Sequence, residues 1–375
     1  MSRVIYITGF YSLFSIVFQL FCNDLVNRLN LKVSVIIGNT LNIIHCLIYI
    51  FTNNYFMIII ANAFGALGFT LKNISESSIL YSSLRKLNKT TEFSKIEGKA
   101  NSKYYYYEGF ASLVSGFLFL INGYIPLILC LINLVIATII SIKFKNVDEK
   151  DTTKKVSIKQ ILTDTKSILT SNRLRSLYLY AFVFTGIVTV SSTLYKAVLT
   201  DVGIKDQYVT MIVCFVSIFI GIGAKSLFYV EKKAKNKTLT ALSFTFIISL
   251  LFVGIIGFNT NIPFTKSIFL ILFLLFMGFV QGSYRVALKK YTLSFTTHKI
   301  RNRITATYYI FENIGSTLFS FGVGTILNYF PSSIACIILA ILSGIIISII
   351  LKFMSTRLGL RPEEYEPKDI NNVKI

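Results

Sequence analysis

The chain has 375 residues, 54% hydrophobic and 15% charged, with 38 Lys+Arg against 17 Asp+Glu and a net charge of +21. A soluble domain carries about 25% charged residues, and no soluble core absorbs so many long apolar runs, so the solvent for most of this chain is a lipid bilayer. The positive charge does not point to nucleic acid, because Lys and Arg sit in short segments between apolar runs.

About 20 apolar residues cross a membrane as a helix. In chain order the predicted spans are 4–22, 33–51, 55–80, 104–121, 124–143, 175–199, 207–229, 238–257, 266–288, 303–328 and 332–353. The fold class is all-α and polytopic. The polar stretch 144–174 divides the spans into five and six, which predicts an N-terminal bundle at 1–143, a cytoplasmic linker at 144–174, a C-terminal bundle at 175–353 and a cytoplasmic tail at 354–375. Within the linker, Val156, Ile158, Ile161, Leu162, Ile168 and Leu169 recur at helical spacing among Lys159, Asp164 and Lys166. That pattern predicts an amphipathic helix lying on the membrane surface.

Alternate loops differ sharply in charge. Segments 23–32, 82–103, 143–175, 225–237, 285–303 and 352–375 hold 33 of the 38 Lys+Arg. The opposite loops hold only Arg3, Lys205 and Lys266, while Lys72 and Lys196 lie within spans. Because Lys and Arg accumulate on the cytoplasmic side, the C-terminus is predicted inside and Met1 outside. Pro126, Pro263 and Pro331 fall on the outer side, where a missing N–H is harmless. The five cysteines have neither metal-ligand spacing nor the pattern of a disulfide framework, and read as small apolar packing residues. His45 and His298 are too far apart in sequence to mark a site by themselves.

Two segments repeat each other at an offset of 204 residues. Lys95, Ile96, Tyr104, Tyr105, Glu108 and Ser112 recur as Lys299, Ile300, Tyr308, Tyr309, Glu312 and Ser316, while Lys99 becomes Arg303 and Tyr107 becomes Phe311. The same offset sets Asn27-Arg28 on Glu231-Lys232 and Ile43-Ile44 on Ile247-Ile248. Gly68-Phe69 matches Gly278-Phe279 at an offset of 210. A duplicated membrane protein is most often a transporter. Span 175–199 has no partner in this numbering, since its counterpart would precede Met1. The expectation is that a first helix of the amino-terminal half is missing, through a late start or a shortened gene. The alternative is a natural eleven-span chain.

Residues 23–32, Asn23-Asp24-Leu25-Val26-Asn27-Arg28-Leu29-Asn30-Leu31-Lys32, resemble the loop G-x-L-A-D-R-x-G-R-K of the major facilitator superfamily. Leu25, Arg28 and Lys32 fit, Asn27 replaces the Asp, and both glycines are Asn. Val230-Glu231-Lys232-Lys233-Ala234-Lys235 keeps the acid-then-base order in the second half. Ser75-Glu76-Ser77-Ser78-Ile79-Leu80-Tyr81-Ser82-Ser83-Leu84 and Glu92-Phe93-Ser94-Lys95-Ile96-Glu97-Gly98-Lys99-Ala100-Asn101-Ser102 are similar to stretches of bacterial drug or sugar exporters of that superfamily. The resemblance covers nearly the whole chain. It implies two six-helix bundles around a cavity that opens alternately to each side, with residue 4 starting the second of twelve helices. It also implies efflux across a bacterial plasma membrane.

A charge inside a bilayer costs roughly 2.5–3.5 kcal/mol on insertion scales, so each one needs a reason. Lys72 and Glu76 stand one turn apart and can pair; they bind substrate or a proton, or form an internal pair near the inner surface. Glu108 and Glu312 form the symmetric pair, each about nine residues after helices taken to begin near Lys99 and Arg303, roughly 13 Å deep. They serve proton coupling, or a cytoplasmic gate in which they meet Arg28, Lys232 or other loop cations. Asp24, Asn27, Arg28, Lys32, Glu231 and Lys232 are the candidate gate loops. Arg285, at the end of its span after Gln281 and Gly282, either faces an anionic substrate or snorkels. Lys196 is expected to snorkel at the outer end of its span. Tyr104 to Tyr107 and Tyr308-Tyr309 read as an interfacial aromatic belt. Gly65, Gly68, Gly221, Gly223, Gly278 and Gly282 are expected where helices approach closely.

The leading functional expectation is a secondary transporter of a small organic solute, driven by an ion gradient, with the proton a candidate coupling ion. No G-x-x-x-x-G-K-[ST] loop supplies a nucleotide engine. No cofactor or metal is implied. A membrane-embedded enzyme is disfavoured, because H-E-x-x-H and G-x-S-x-G are both absent. A non-transporting relic or sensor is the remaining reading.

Overall fold

The computed structural model describes residues 2–87, 89, 93–144, 172–258, 264–294 and 301–353. Among them are eleven long helices: α1 Ser2–Leu29, α2 Leu31–Phe51, α3 Tyr55–Lys86, α4 Phe93–Ile121, α5 Ile125–Ile142, α6 Asn172–Asp201, α7 Asp206–Ala234, α8 Thr238–Ile256, α9 Phe264–Ser294, α10 Arg301–Ile326 and α11 Ser332–Phe353. The expected amphipathic helix of the linker and the tail beyond 353 lie outside the described residues.

Helices outrun the spans read from hydropathy. The ten residues 23–32, expected as a loop, are helical except at Asn30, whose φ of 67° breaks the chain between α1 and α2. Asn tolerates this left-handed conformation better than most residues. Likewise α3 continues to Lys86, and α7 runs to Ala234 before a single 3-10 turn, Lys235–Lys237, leads into α8. The cause is physical. A span ends where polarity rises, but a helix ends only where its backbone is interrupted or capped. Lys and Arg are good helix formers.

Nine of the helices are long and apolar enough to cross a membrane, counted among the described residues. The other two are α4 and α10, the pair that carries the repeat. Their clustered tyrosines and a glutamate lower the apolarity, although 29 and 26 residues still reach about 39–44 Å. The hydrocarbon core they must cross is about 30 Å thick. Elsewhere the apolar side chains face outward: Phe51 is 83% exposed and Ile121 75%. Apolar exposure on that scale fits lipid rather than water as solvent.

Contacts divide the chain into two compact units. The first comprises Met1–Gly9, Ser102–Gly116 and Thr163–Ile375; the second comprises Phe10–Asn101 and Phe117–Leu162. In the first unit α6 packs on α10 and α11, α11 on α8, and α9 on both α8 and α7. Its core is aromatic: Phe184 meets Tyr284 edge-on at 4.9 Å and Phe246 at 5.5 Å. Glycines set the helix spacing, as expected for Gly223, Gly278 and Gly282. A Cβ on Gly223 would strike the Phe279 carbonyl, and one on Gly282 the Ile220 carbonyl, so α7 and α9 touch backbone to backbone. Two more elements join this unit. The middle of α4 lies on α7, with Gly116 against Thr210 and Gly109 against Ser217. The start of α1 lies on α10, where Gly9 meets Ser320 and the Tyr6 hydroxyl is 3.2 Å from Thr325 Oγ1.

In the second unit α2 packs on α3 and α5. A Cβ on Gly38 would come within 2.7 Å of the Gly68 carbonyl, so α2 and α3 cross there. The Asn39 amide donates to Ser141 Oγ at 3.1 Å in the buried α2–α5 contact. His45 Nδ1 lies 2.7 Å from the Ala61 carbonyl, which fits a packing role between α2 and α3.

Candidate functional site

Charged and polar side chains from α4, α6, α9 and α10 gather within the first unit. The crossing of α6 and α10 comes first. A Cβ on Gly186 would lie 2.8 Å from the Gly315 carbonyl, and one on Gly315 would strike the Phe182 carbonyl. That approach brings Thr185 and Thr189, one turn apart on α6, against Glu312 and Ser316, one turn apart on α10. Thr185 Oγ1 donates to Glu312 Oε1 at 3.0 Å, and the Thr189 and Ser316 hydroxyls are 3.1 Å apart. Tyr308, one turn before Glu312, donates to the same Oε1 at 2.6 Å. Tyr284 on α9 extends the chain, its hydroxyl 3.5 Å from Thr185 Oγ1. A carboxylate with two hydroxyl donors on one oxygen is well solvated by the protein itself.

The next residue on α9 points elsewhere. Arg285 Nη1 donates to the Tyr105 hydroxyl on α4 at 2.6 Å, and the Tyr284 hydroxyl is close by. Arg285 is exposed. It does not end its helix, as the span boundary implied: α9 continues for nine residues to Ser294. Its guanidinium is bonded to a phenol of α4. Glu108 on α4 feels the charges of Arg285 and of Lys196 on α6, with neither cation at ion-pair distance. Glu108 and Lys196 are both exposed.

The repeat-related glutamates therefore differ in surroundings. Glu312 is bonded and partly buried, while Glu108 is exposed and accepts no hydrogen bond among the described residues. α4 begins at Phe93 and α10 at Arg301, ahead of the helix starts read near Lys99 and Arg303. Glu312 meets Tyr308 and Thr185. Gln281 is partly exposed one turn before Arg285.

Lys72 and Glu76 pair at 3.7 Å on α3, in the second unit, with side chains 30% and 47% exposed. Glu231, expected in a loop, is in the last turn of α7 and only 4% exposed. It accepts from Lys290 Nζ at 3.0 Å and from the Tyr291 hydroxyl at 2.9 Å, tying α7 to α9. Its neighbour Lys232 is exposed. Asp24, Asn27 and Arg28 lie in α1 with side chains outside the described residues, and Lys32 opens α2.

Sequence reasoning missed Thr185, Tyr284, Tyr105 and Tyr308 as site residues. Tyr308 is 5% exposed and belongs to the interior rather than to an interfacial belt. One signal was present. Tyr308 and Glu312 stand at i and i+4, and the repeat preserves this spacing in Tyr104 and Glu108.

A profile of the Major Facilitator Superfamily matches residues 2–265, more than two thirds of the chain. The chain belongs to the Major Facilitator Superfamily. Membership makes it a multi-pass membrane protein of a transporter family. Solved structures share the fold. The nucleoside transporter NupG superposes with a TM-score of 0.74 at 10% identity, covering 97% of this chain and 91% of its own. A D-xylose-proton symporter gives a TM-score of 0.75 at 13% identity, covering 96% of this chain and 89% of its own. No curated protein matches the sequence.

Proposed function

We propose that the chain is a secondary transporter that moves a small organic solute across a bacterial plasma membrane by alternating access, coupled to an ion gradient. The observation that carries this reading is the cluster of Arg285, Lys196, Glu108 and Glu312 on span-length helices, three of the four exposed. Charges held at membrane depth are costly and mark solute or ion pathways. The proton is the coupling ion we favour, because Glu312 and Glu108 are carboxylates that can take one up, and among the described residues only Oε1 of Glu312 accepts a bond. The solved neighbour titled a proton symporter supports the same choice. The exporter-like stretch at 75–102 supports efflux. The asymmetry of Lys and Arg supports a cytoplasmic C-terminus.

The test reconstitutes the full chain in proteoliposomes with a trapped pH-sensitive dye. A proton gradient is imposed against a panel of D-xylose, uridine, glycine, lactate and inorganic phosphate. Solute-dependent proton movement supports the reading. Gradient-independent leakage alone, across the whole panel, overturns it and leaves a relic or sensor. Flux compared across several pH values in Glu108→Gln and Glu312→Gln assigns the coupling residue. Unchanged pH dependence in both variants removes these carboxylates from proton coupling.

A further inference from the structure

We infer that Arg285 is the recognition point for an oxyanion group of the transported solute, a carboxylate or a phosphate, an inference that rests on the transporter reading above. The starting observation is a mismatch of charge and partner. Arg285 carries a permanent positive charge nine residues before the end of α9, yet its hydrogen bond goes to a phenol, Tyr105 at 2.6 Å, with the Tyr284 hydroxyl close by. Among the described residues no carboxylate lies within ion-pair distance of it. Phenol oxygens orient a guanidinium without neutralising it.

The surrounding carboxylates do not pair with it. The hydrogen bonds of Glu312 go to Tyr308 and Thr185 rather than to Arg285. Glu108 feels both Arg285 and the second cation, Lys196. Among the described residues, no cation of this cluster is joined to a carboxylate at ion-pair distance. The titratable groups in electrostatic contact with Arg285 are Tyr104, Tyr105 and Glu108 from α4, Tyr284 from its own helix and Glu312 from α10.

A purely structural role would need less. A helix-to-helix tie through Tyr105 requires one donor, which a neutral amide supplies without the cost of a charge at membrane depth. Arg285 instead presents five N–H groups in a fixed plane, of which the phenols occupy a part. A guanidinium held in one orientation, exposed, with free donors on its edge, matches the bidentate geometry of a carboxylate or phosphate. Tyr105 and Tyr284 act as positioning residues, fixing the plane before the solute arrives.

The experiment measures uptake of radiolabelled probes into proteoliposomes holding the full chain. The probes are lactate, succinate, inorganic phosphate and glycerol phosphate against the neutral D-xylose and uridine. The expected result is saturable transport of at least one anion. With that anion, Arg285→Gln raises KM at least tenfold, Arg285→Lys raises it less, and Tyr105→Phe raises it severalfold with kcat changed little. Lys205→Gln, on an outer loop, serves as a control. Carboxylates moving without phosphates, or the reverse, supports the inference and names the group. Transport of a neutral probe alone overturns the inference while the transporter reading stands. An anion whose KM is unmoved by Arg285→Gln also overturns it. No transport of any probe overturns both. Should Arg285→Gln fail to give a monodisperse protein, the KM values of Arg285→Lys and Tyr105→Phe decide, and no change in either rejects the inference.

Discussion

The Tyr308–Glu312 contact is where the structure predicts a measurable coupling. The donor–acceptor distance of 2.6 Å falls in the range of about 2.5–2.7 Å for a hydroxyl donating to a carboxylate. A hydrogen bond to a charged group contributes about 1.5–3 kcal/mol, against about 0.5–1.5 for a neutral pair. Tyr308→Phe keeps the ring in its edge-on contact with Tyr178 and deletes only the hydroxyl, so it should destabilise by about 2 kcal/mol. Glu312→Gln keeps the shape and an acceptor but removes the charge, which should cost about 1 kcal/mol at the Tyr308 bond. At the Thr185 bond the loss is smaller, because interhelical hydrogen bonds in membranes average only about 0.6 kcal/mol. The double mutant should fall short of the sum of the singles by about 1 kcal/mol. Unfolding in mixed micelles under an SDS titration gives these values. The chain has no Trp, so far-UV circular dichroism is the appropriate signal. A coupling below about 0.3 kcal/mol, with both single variants as stable as the wild type, would refute the assignment of Glu312 as a bonded carboxylate.

Other expectations follow from the same geometry. Glu231→Ala should destabilise by about 2–4 kcal/mol in the same titration, because it leaves the Tyr291 hydroxyl and Lys290 without their acceptor; Lys290→Ala should cost less, since that side chain is 32% exposed. Gly315→Ala and Gly282→Ala should each cost about 1–3 kcal/mol and lower the folded yield on size exclusion, because the new methyl meets a facing carbonyl. Gly322→Ala has nothing within 4 Å and should be neutral or slightly stabilising. Glu76→Gln should change stability by no more than about 0.5 kcal/mol, since its i,i+4 pair with Lys72 is half exposed, and a larger loss would show a partner for Glu76 beyond Lys72.

Much of the architecture is legible in the residues alone. Apolar run length is set by bilayer thickness, so the number of helices could be read from hydropathy, and a duplication is a property of the string itself. The glycine contacts at 68, 223, 278 and 282 were also readable, since a residue without a Cβ at membrane depth has few other uses. Helix ends were not. The segment 23–32 looked like a loop because it is polar, yet only Asn30 interrupts the backbone. Polarity reports the membrane edge, and backbone geometry reports the helix edge.

The candidate site shows the same division. Sequence showed which charges fall within or beside apolar runs and that Glu108 and Glu312 recur at an offset of 204. It left the partners from other helices undetermined; Tyr308, one turn before Glu312, was the exception. Thr185 reaches Glu312 only because Gly186 and Gly315 let α6 and α10 touch, and Tyr105 reaches Arg285 only because the middle of α4 lies in the same unit as α9. Identical side chains at related positions thus acquired different surroundings, one carboxylate bonded and one exposed. Hydrophobic run length is a local quantity that one stretch of chain fixes by itself. The pairing of a charge is a distance between stretches more than a hundred residues apart, which only the packed helices decide.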